Sequence, residues 1–288
     1  MSTTAELITQ IALAGAFPND GYFTTANYLS FLNDAQQTEI TPLLLRLNEE
    51  YLLDHKDYTI AANTTYRIPT RAIGAKLRSV MLITSSGAYT RLDRLFEEDR
   101  PNNMTGYYLV RNSIELSSDI TTGTLRLSYI CALPTLVATS SVAQISSINT
   151  STNQVVVTSL PSTISTSTPI DFIQGASPFD LLDKDITISS VSGTTLTFSS
   201  LPSGLAVNDY IALSTQSCIP LIPSELNPLL AQAVLVKALS AKKDKQAEVE
   251  QQKLDKMKQT LLEMLDPRIN STDVKFFGQG IVSFLKNR

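Results

Sequence analysis

The sequence has no tryptophan, one histidine and two cysteines among 288 residues, and each scarcity removes a class of chemistry. His55 is the only imidazole available as a general base or metal ligand. Cys131 and Cys218 stand too far apart in sequence to hold a structural zinc by themselves, so both are expected as thiols and no metal is expected. The 11 glycines never assemble into Gly-x-Gly-x-x-Gly or a Walker loop, which argues against a nucleotide cradle. No Gly-x-Ser-x-Gly elbow presents a serine nucleophile. The expectation is therefore no catalytic residue, no cofactor and no enzyme.

Long apolar runs are missing too. Stretches such as Ile219 to Ile222 fall far below the roughly 20 residues of a membrane-spanning helix, so no membrane partner is expected. The opening Met1-Ser2-Thr3-Thr4-Ala5-Glu6 lacks the basic start and apolar core of a secretory signal, and the chain is expected to be made in the cytosol. Basic charge is thin: the net charge is −4, and between Arg126 and Lys237 the only basic residue is Lys184. That stretch is no phosphate clamp.

Acidic residues do cluster, at Glu97-Glu98-Asp99 and at Asp180, Asp183 and Asp185. Paired carboxylates raise the possibility of glycoside hydrolysis, the enzymatic alternative, but the absence of tryptophan leaves poor material for sugar stacking. A calcium loop over Asp180–Asp185 lacks the EF-hand spacing and its central glycine. Surface or interface charge is the expected role. His55, in Tyr51-Leu52-Leu53-Asp54-His55, is expected at a helix end, where its charge would complement the dipole.

Along the chain, Ala5 to Leu13 predicts a short amphipathic helix ended by Gly15 and Pro18. A second is predicted from Thr25 to Gln37, with Thr24, Thr25 or Asn27 as its cap. A third would start where Thr41 caps and Pro42 takes the first turn, with Leu43, Leu44, Leu47 and Tyr51 forming one apolar face. From Tyr58 the period becomes two, and strands are predicted around Tyr58–Ile60, Tyr66–Ile68, Leu77–Thr84, Ala88–Leu95, Gly106–Arg111, Ser113–Leu116 and Thr124–Cys131. Short connections predict a single antiparallel sheet of about five strands.

Residues 137–218 change character: serine and threonine dominate and charge nearly vanishes. An imperfect repeat runs through them, Ile145-Ser146-Ser147-Ile148 to Leu160-Pro161-Ser162 and again Ile188-Ser189-Ser190-Val191 to Leu201-Pro202-Ser203. Each copy predicts a β-hairpin, and the pair predicts a small inserted all-β barrel or sandwich burying Val155, Val157, Leu196 and Phe198. A long helix is then predicted from Asn227, as cap, through Pro228 to Leu265, about 57 Å at 1.5 Å per residue. Leu254, Met257, Leu261 and Met264 recur along it at heptad-like spacing. Asp266-Pro267 ends it, and residues 267–288 form an apolar, basic tail.

The run Tyr66-Arg67-Ile68-Pro69-Thr70-Arg71-Ala72-Ile73-Gly74-Ala75-Lys76-Leu77-Arg78-Ser79-Val80, with Gly106-Tyr107-Tyr108-Leu109, Ile114-Glu115-Leu116, Leu125-Arg126-Leu127-Ser128-Tyr129 and Ile222 to Ala231, resembles the head-to-tail adaptor (connector) proteins of tailed bacteriophages. The likeness covers residues 1–136 and 219–268 and leaves the repeat outside it. It implies an α+β adaptor core (1–136 plus 219–266), to which composition and the repeat add an inserted β domain (137–218) and a C-terminal docking tail (267–288). It also implies a structural virion protein at the neck that assembles with itself into a ring of about twelve copies. The ring would lie between the portal protein and tail or nozzle proteins and pass double-stranded DNA without specific binding. Arg268, Phe276, Phe277, Phe284 and Leu285 are the expected portal-docking residues. The alternative is another tail or baseplate component whose β domain binds a receptor or glycan.

Overall fold

In a computed structural model, residues 3–15, 22–47, 49–61, 65–96, 98, 104–177 and 179–265 are described. The expected portal-docking residues, Arg268, Phe276, Phe277, Phe284 and Leu285, lie outside them, as do Pro18, Glu97 and Asp99.

Helix α1 (Thr4–Ala14) begins with a reciprocal capping box between Thr3 and Glu6 and ends at Gly15. Helix α2 (Thr25–Ala35) starts the same way, with Thr24 and Asn27 satisfying each other's backbone amides. The third helix opens at Thr41 as predicted, but Thr41 is itself helical and does not cap it. The chain instead passes through a π-turn, Gln36–Ile40, directly into α3 (Thr41–Leu47). Pro42 has no N–H to continue the ladder, and the wider turn accommodates it: the Thr41 amide donates to Gln36 O, five residues back, and the Thr41 hydroxyl donates to the same oxygen at 2.9 Å. Tyr51 leaves the expected stripe and stands exposed in the 3₁₀ turn Glu49–Leu52.

The strands that follow are β1 (Leu53–Thr59), β2 (Thr65–Arg67), β3 (Ala72–Ile83), β4 (Tyr89–Arg91), β5 (Arg94–Leu95), β6 (Tyr107–Val110), β7 (Ser113–Leu116) and β8 (Thr124–Cys131). They form two four-stranded sheets, ordered β1-β8-β3-β4 and β2-β7-β6-β5, rather than one sheet of five. The chain changes sheets between β4 and β5, and this lets β5 lie parallel to β6, against the expectation of antiparallel pairing throughout. Tyr66, Ile68 and Ile114 from one sheet and Val80, Leu125, Leu127 and Tyr129 from the other share a core. His55 lies exposed in β1 opposite Ser128, so no helix dipole reaches it.

Strand β9 (Thr135–Leu136) leads out to β10 (Ala143–Asn149), β11 (Gln154–Val157), β12 (Pro169–Ile173), β13 (Leu181–Thr187), β14 (Ser190–Ser192), β15 (Thr195–Thr197) and β16 (Tyr210–Leu213), and the chain returns at β17 (Gln216–Ser217). The two repeats are indeed hairpins, β10–β11 and β14–β15, and they pair with each other through β11 and β15. The seven strands curl into an open half-barrel, ordered β13-β12-β16-β10-β11-β15-β14, around Ile145, Val155, Val157, Phe172, Leu196, Phe198 and Ile211. Alternation along β12 and β16 sends Ile170, Phe172 and Ile211 inward, while Ile173, Tyr210 and Ala212 join an outer cluster with Cys218 and Ile219.

The two ends of this unit meet, because β17 runs parallel to β9. Helices secure the joint. Asn33 of α2 exchanges two hydrogen bonds with the Leu136 backbone, at 2.7 and 2.9 Å, Gln36 donates to Pro134 O at 2.8 Å, and the buried Thr4 donates through its amide to Cys218 O and through its hydroxyl to Val137 O, both at 2.8 Å.

The predicted 57 Å helix is a helical hairpin. Helix α4 (Asn227–Ala241) is buried nearly all round, the mark of a central helix. Asn227 does not cap it, since the 3₁₀ turn Ser224–Leu226 runs straight in and the Asn227 Oδ1 is left buried without a partner. Lys243, at φ +57°, turns the chain, and Asp244 accepts from the Gln246 amide at 2.9 Å before α5 (Gln246–Leu265) returns along α4. The Gln232 side chain bonds Glu250 across the hairpin, and Leu254, with Met257 and Leu261 beside it, closes the core that α1, α2 and α3 share.

Leu254 is 2% exposed in the hairpin and would be solvated on a straight helix. Leu254→Ala should therefore cost about 2–5 kcal/mol in denaturant unfolding. A loss of about 0.5 kcal/mol or less, typical of a surface site, would contradict the hairpin.

Candidate functional site

The most heavily constrained polar cluster lies where the half-barrel meets the two-sheet unit. Arg71, just before β3, is 6% exposed and crosses to β12. Its Nη2 donates to both oxygens of Asp171, at 2.6 and 2.8 Å, to Asp185 Oδ1 at 3.0 Å and to Ser214 Oγ at 3.0 Å. Asp171, 1% exposed, also accepts from the Asp185 amide and the Thr215 amide, each at 3.0 Å. Ser214 donates to Asp185 at 2.6 Å.

Local backbone geometry builds this cluster. The β12–β13 register shifts between Ile170 and Phe172, leaving Lys184 and Asp185 outside the ladder at a bulge opposite Asp171. Asp185 takes φ +57°, which aspartate tolerates, and Thr215 takes φ +68°, an outlier for a β-branched residue. Both strained amides point at the Asp171 carboxylate, whose charge-assisted bonds hold them.

A second crossing runs beside the first. Lys184, the only basic residue of the insert, pairs with Asp54 of β1 and donates to His55 O at 3.1 Å. The Tyr129 hydroxyl donates to Asp54 Oδ2 at 2.9 Å. Burial would raise the Asp54 pKa, but the Lys184 bond and charge, with the His55 amide and Tyr129 hydroxyl, outweigh it and hold the carboxyl below its ordinary range. Asp185 behaves alike: burial pushes it up, while Arg71 and Ser214 bring the net shift down. Burial would lower Arg71, yet Asp185 and Asp171 raise it overall, so it stays charged.

These pairs form one wall of a cleft of about 530 Å³, bordered by Tyr51, Leu53, Leu133, Phe179, Asp180, Leu182, Asp183, Gln216 and Leu221. Cys131 also lines it as a free thiol, and burial pushes its pKa up to about 11, so it is no activated nucleophile. Cys218, likewise free, is buried, and burial moves it up to about 12. Of the expected acidic group, Asp185 enters the Arg71 network, Asp180 and Asp183 line the cleft, and Glu98 is exposed elsewhere. Among the described residues no three carboxyl, thiol or imidazole groups converge on a common point, and no helix is long and apolar enough to cross a membrane.

No family model matches this chain, and no curated protein matches it. The site is thus read from its own chemistry.

Sequence reasoning passed over Arg71 and Asp171, although each is a lone charge in an apolar run, Ile68-Pro69-Thr70-Arg71-Ala72-Ile73 and Pro169-Ile170-Asp171-Phe172-Ile173. Two such charges of opposite sign are a signal for a buried pair. Asp171→Ala should destabilise by about 3–5 kcal/mol, because Arg71 is left buried without its main counter-charge, and Arg71→Met combined with Asp171→Leu should recover only the part of that loss due to the stranded charge, since the Asp185 and Thr215 amides still lack their acceptor. Equal losses in the single and double variants, measured by denaturant unfolding, would show the pair to be uncoupled.

Proposed function

We propose that the chain is a head-to-tail adaptor: a structural, ring-forming virion protein at the neck of a tailed bacteriophage. It would sit between the portal and tail or nozzle proteins and let double-stranded DNA pass without gripping it. Its residues 1–136 plus 219–266 would be the adaptor core, and residues 137–218 an accessory unit. The observation that carries the reading is the shared helical core. The N-terminal helices α1–α3 pack on α4 across a chain separation of some two hundred residues, and both sheets and the half-barrel lie between them in sequence. The sequence resemblance implies helices, then strands, then a helical return; Tyr66–Val80, Ile114–Leu116 and Leu125–Tyr129 supply β2, β3, β7 and β8, and the return is the α4–α5 hairpin in place of one long helix.

Composition supports the same reading. Lys184, the one basic residue between Arg126 and Lys237, is consumed by Asp54 and offers DNA nothing. Arg126 itself is held by Asp57 at 2.7 and 2.8 Å. Passage through a ring requires weak affinity for phosphate, and the pairing of these two cations is in keeping with that.

Negative-stain imaging of the purified protein, alone and mixed with a purified phage portal ring, tests the proposal. The expected result is closed rings of about twelve copies around an open channel, stacked on the portal where it is present. A species that remains monomeric and unassociated in both samples would refute it.

A further inference from the structure

The cleft beside Arg71 carries chemistry that the buried pairs leave unused. Asp54 is taken by Lys184 and Asp171 by Arg71, while among the described residues Asp180 and Asp183 have no basic side chain paired to them. Around them are Tyr51, which is 46% exposed, Leu53, Leu133, Phe179, Leu182 and Leu221. Every hydrogen bond of the Arg71 side chain comes from Nη2, and its Nε is buried with no partner. An acidic, apolar cleft of about 530 Å³, within the usual range of binding pockets, suits a segment that combines basic and aromatic side chains.

The chain itself carries such a segment. Residues 267–288 hold four basic side chains, Arg268, Lys275, Lys286 and Arg288, against the single acid Asp273, together with Phe276, Phe277, Ile281, Phe284 and Leu285. Helix α5 runs back along α4, with Gln232 bonded to Glu250, so its last turns lie toward the start of α4. There Lys258 pairs with Glu39, at the entrance to α3, and α3 leads within a few residues to Tyr51 on the cleft wall. Leu221, just ahead of α4, lies on the same wall. A segment of 22 residues spans up to about 70 Å when extended, ample for that distance.

We propose that in the isolated chain residues 267–288 seat in this cleft of the same molecule, a phenylalanine among Tyr51, Phe179 and Leu182 and a basic side chain at Asp180 and Asp183. The seat does not rest on the ring reading, and it gives the tail an intramolecular site distinct from any portal.

Cys131 on the cleft wall makes the test direct, since Cys218, the other thiol, is buried. Full-length Phe276→Cys, Phe277→Cys and Val282→Cys variants, oxidised at high dilution, should each be assayed by intact mass and non-reducing gels. At least one should form a disulfide to Cys131 within a single chain, lost when Cys131→Ser is added. In parallel, maleimide should label Cys131 about tenfold faster after truncation at Pro267, and likewise in full-length Asp180→Lys/Asp183→Lys, where the folded chain keeps its tail but loses the acidic seat. Equal labelling rates in all three proteins would overturn the proposal. A disulfide found only between two chains would overturn it as well and assign the cleft to a neighbouring copy's tail.

Discussion

A guanidinium buried at the meeting of two β units cannot be left without a counter-charge, and the placement of Arg71 organises the middle of this protein. Stripping water from such a group costs several kcal/mol, and only close, well-directed bonds offset it. Asp171 supplies two of them, Asp185 and Ser214 supply the rest, and the amides of Asp185 and Thr215 hold the Asp171 carboxylate in turn. The half-barrel is therefore docked on the two-sheet unit by a geometry that tolerates little displacement. The bulge in β13 and the left-handed Thr215 are features this geometry requires, and without the Asp171 carboxylate nothing would favour them.

The remaining contacts follow from that fixed point. The insert leaves and re-enters the core at adjacent strands, β9 and β17, and α1 and α2 grip the same joint through Thr4, Asn33 and Gln36. The helical core, through Leu136, and the outer cluster, through Val137, Cys218 and Ile219, both reach this joint. Lys184 extends the docking toward β1, so the insert spends its only cation on orientation. The proposed ring, which must hold a channel in register, would need such rigidity between its parts.

What was legible in the sequence is what local rules decide. Thr24 caps its helix, Leu125, Leu127 and Tyr129 alternate into a core, and the duplicated Ile-Ser-Ser and Leu-Pro-Ser blocks give paired hairpins that bury Val155, Val157, Leu196 and Phe198. The α+β class follows from these. The errors arise where a distant contact outweighs a local preference. The polar run Lys242 to Gln246 is compatible with an exposed helix, and only the apolar surface offered by α4 to Leu254 makes a turn at Lys243 more favourable. Asp244, a turn and cap former, was the available clue. The division of one expected sheet into two depends on the chain crossing after β4, which no periodicity encodes. Arg71 and Asp171 stand 100 residues apart, and a single sequence gives the lone charges without their pairing.

If the Arg71–Asp171 pair fixes the half-barrel on the core, the amides that point at Asp171 are shielded until the whole molecule opens. Native-state hydrogen exchange at the Asp185 and Thr215 amides measures this directly. Exchange of both at the rate of global unfolding, matching amides in the centre of β8, is the predicted result. Rapid exchange at these two amides while β8 stays protected would show that the junction opens independently, and that Arg71 does not hold it.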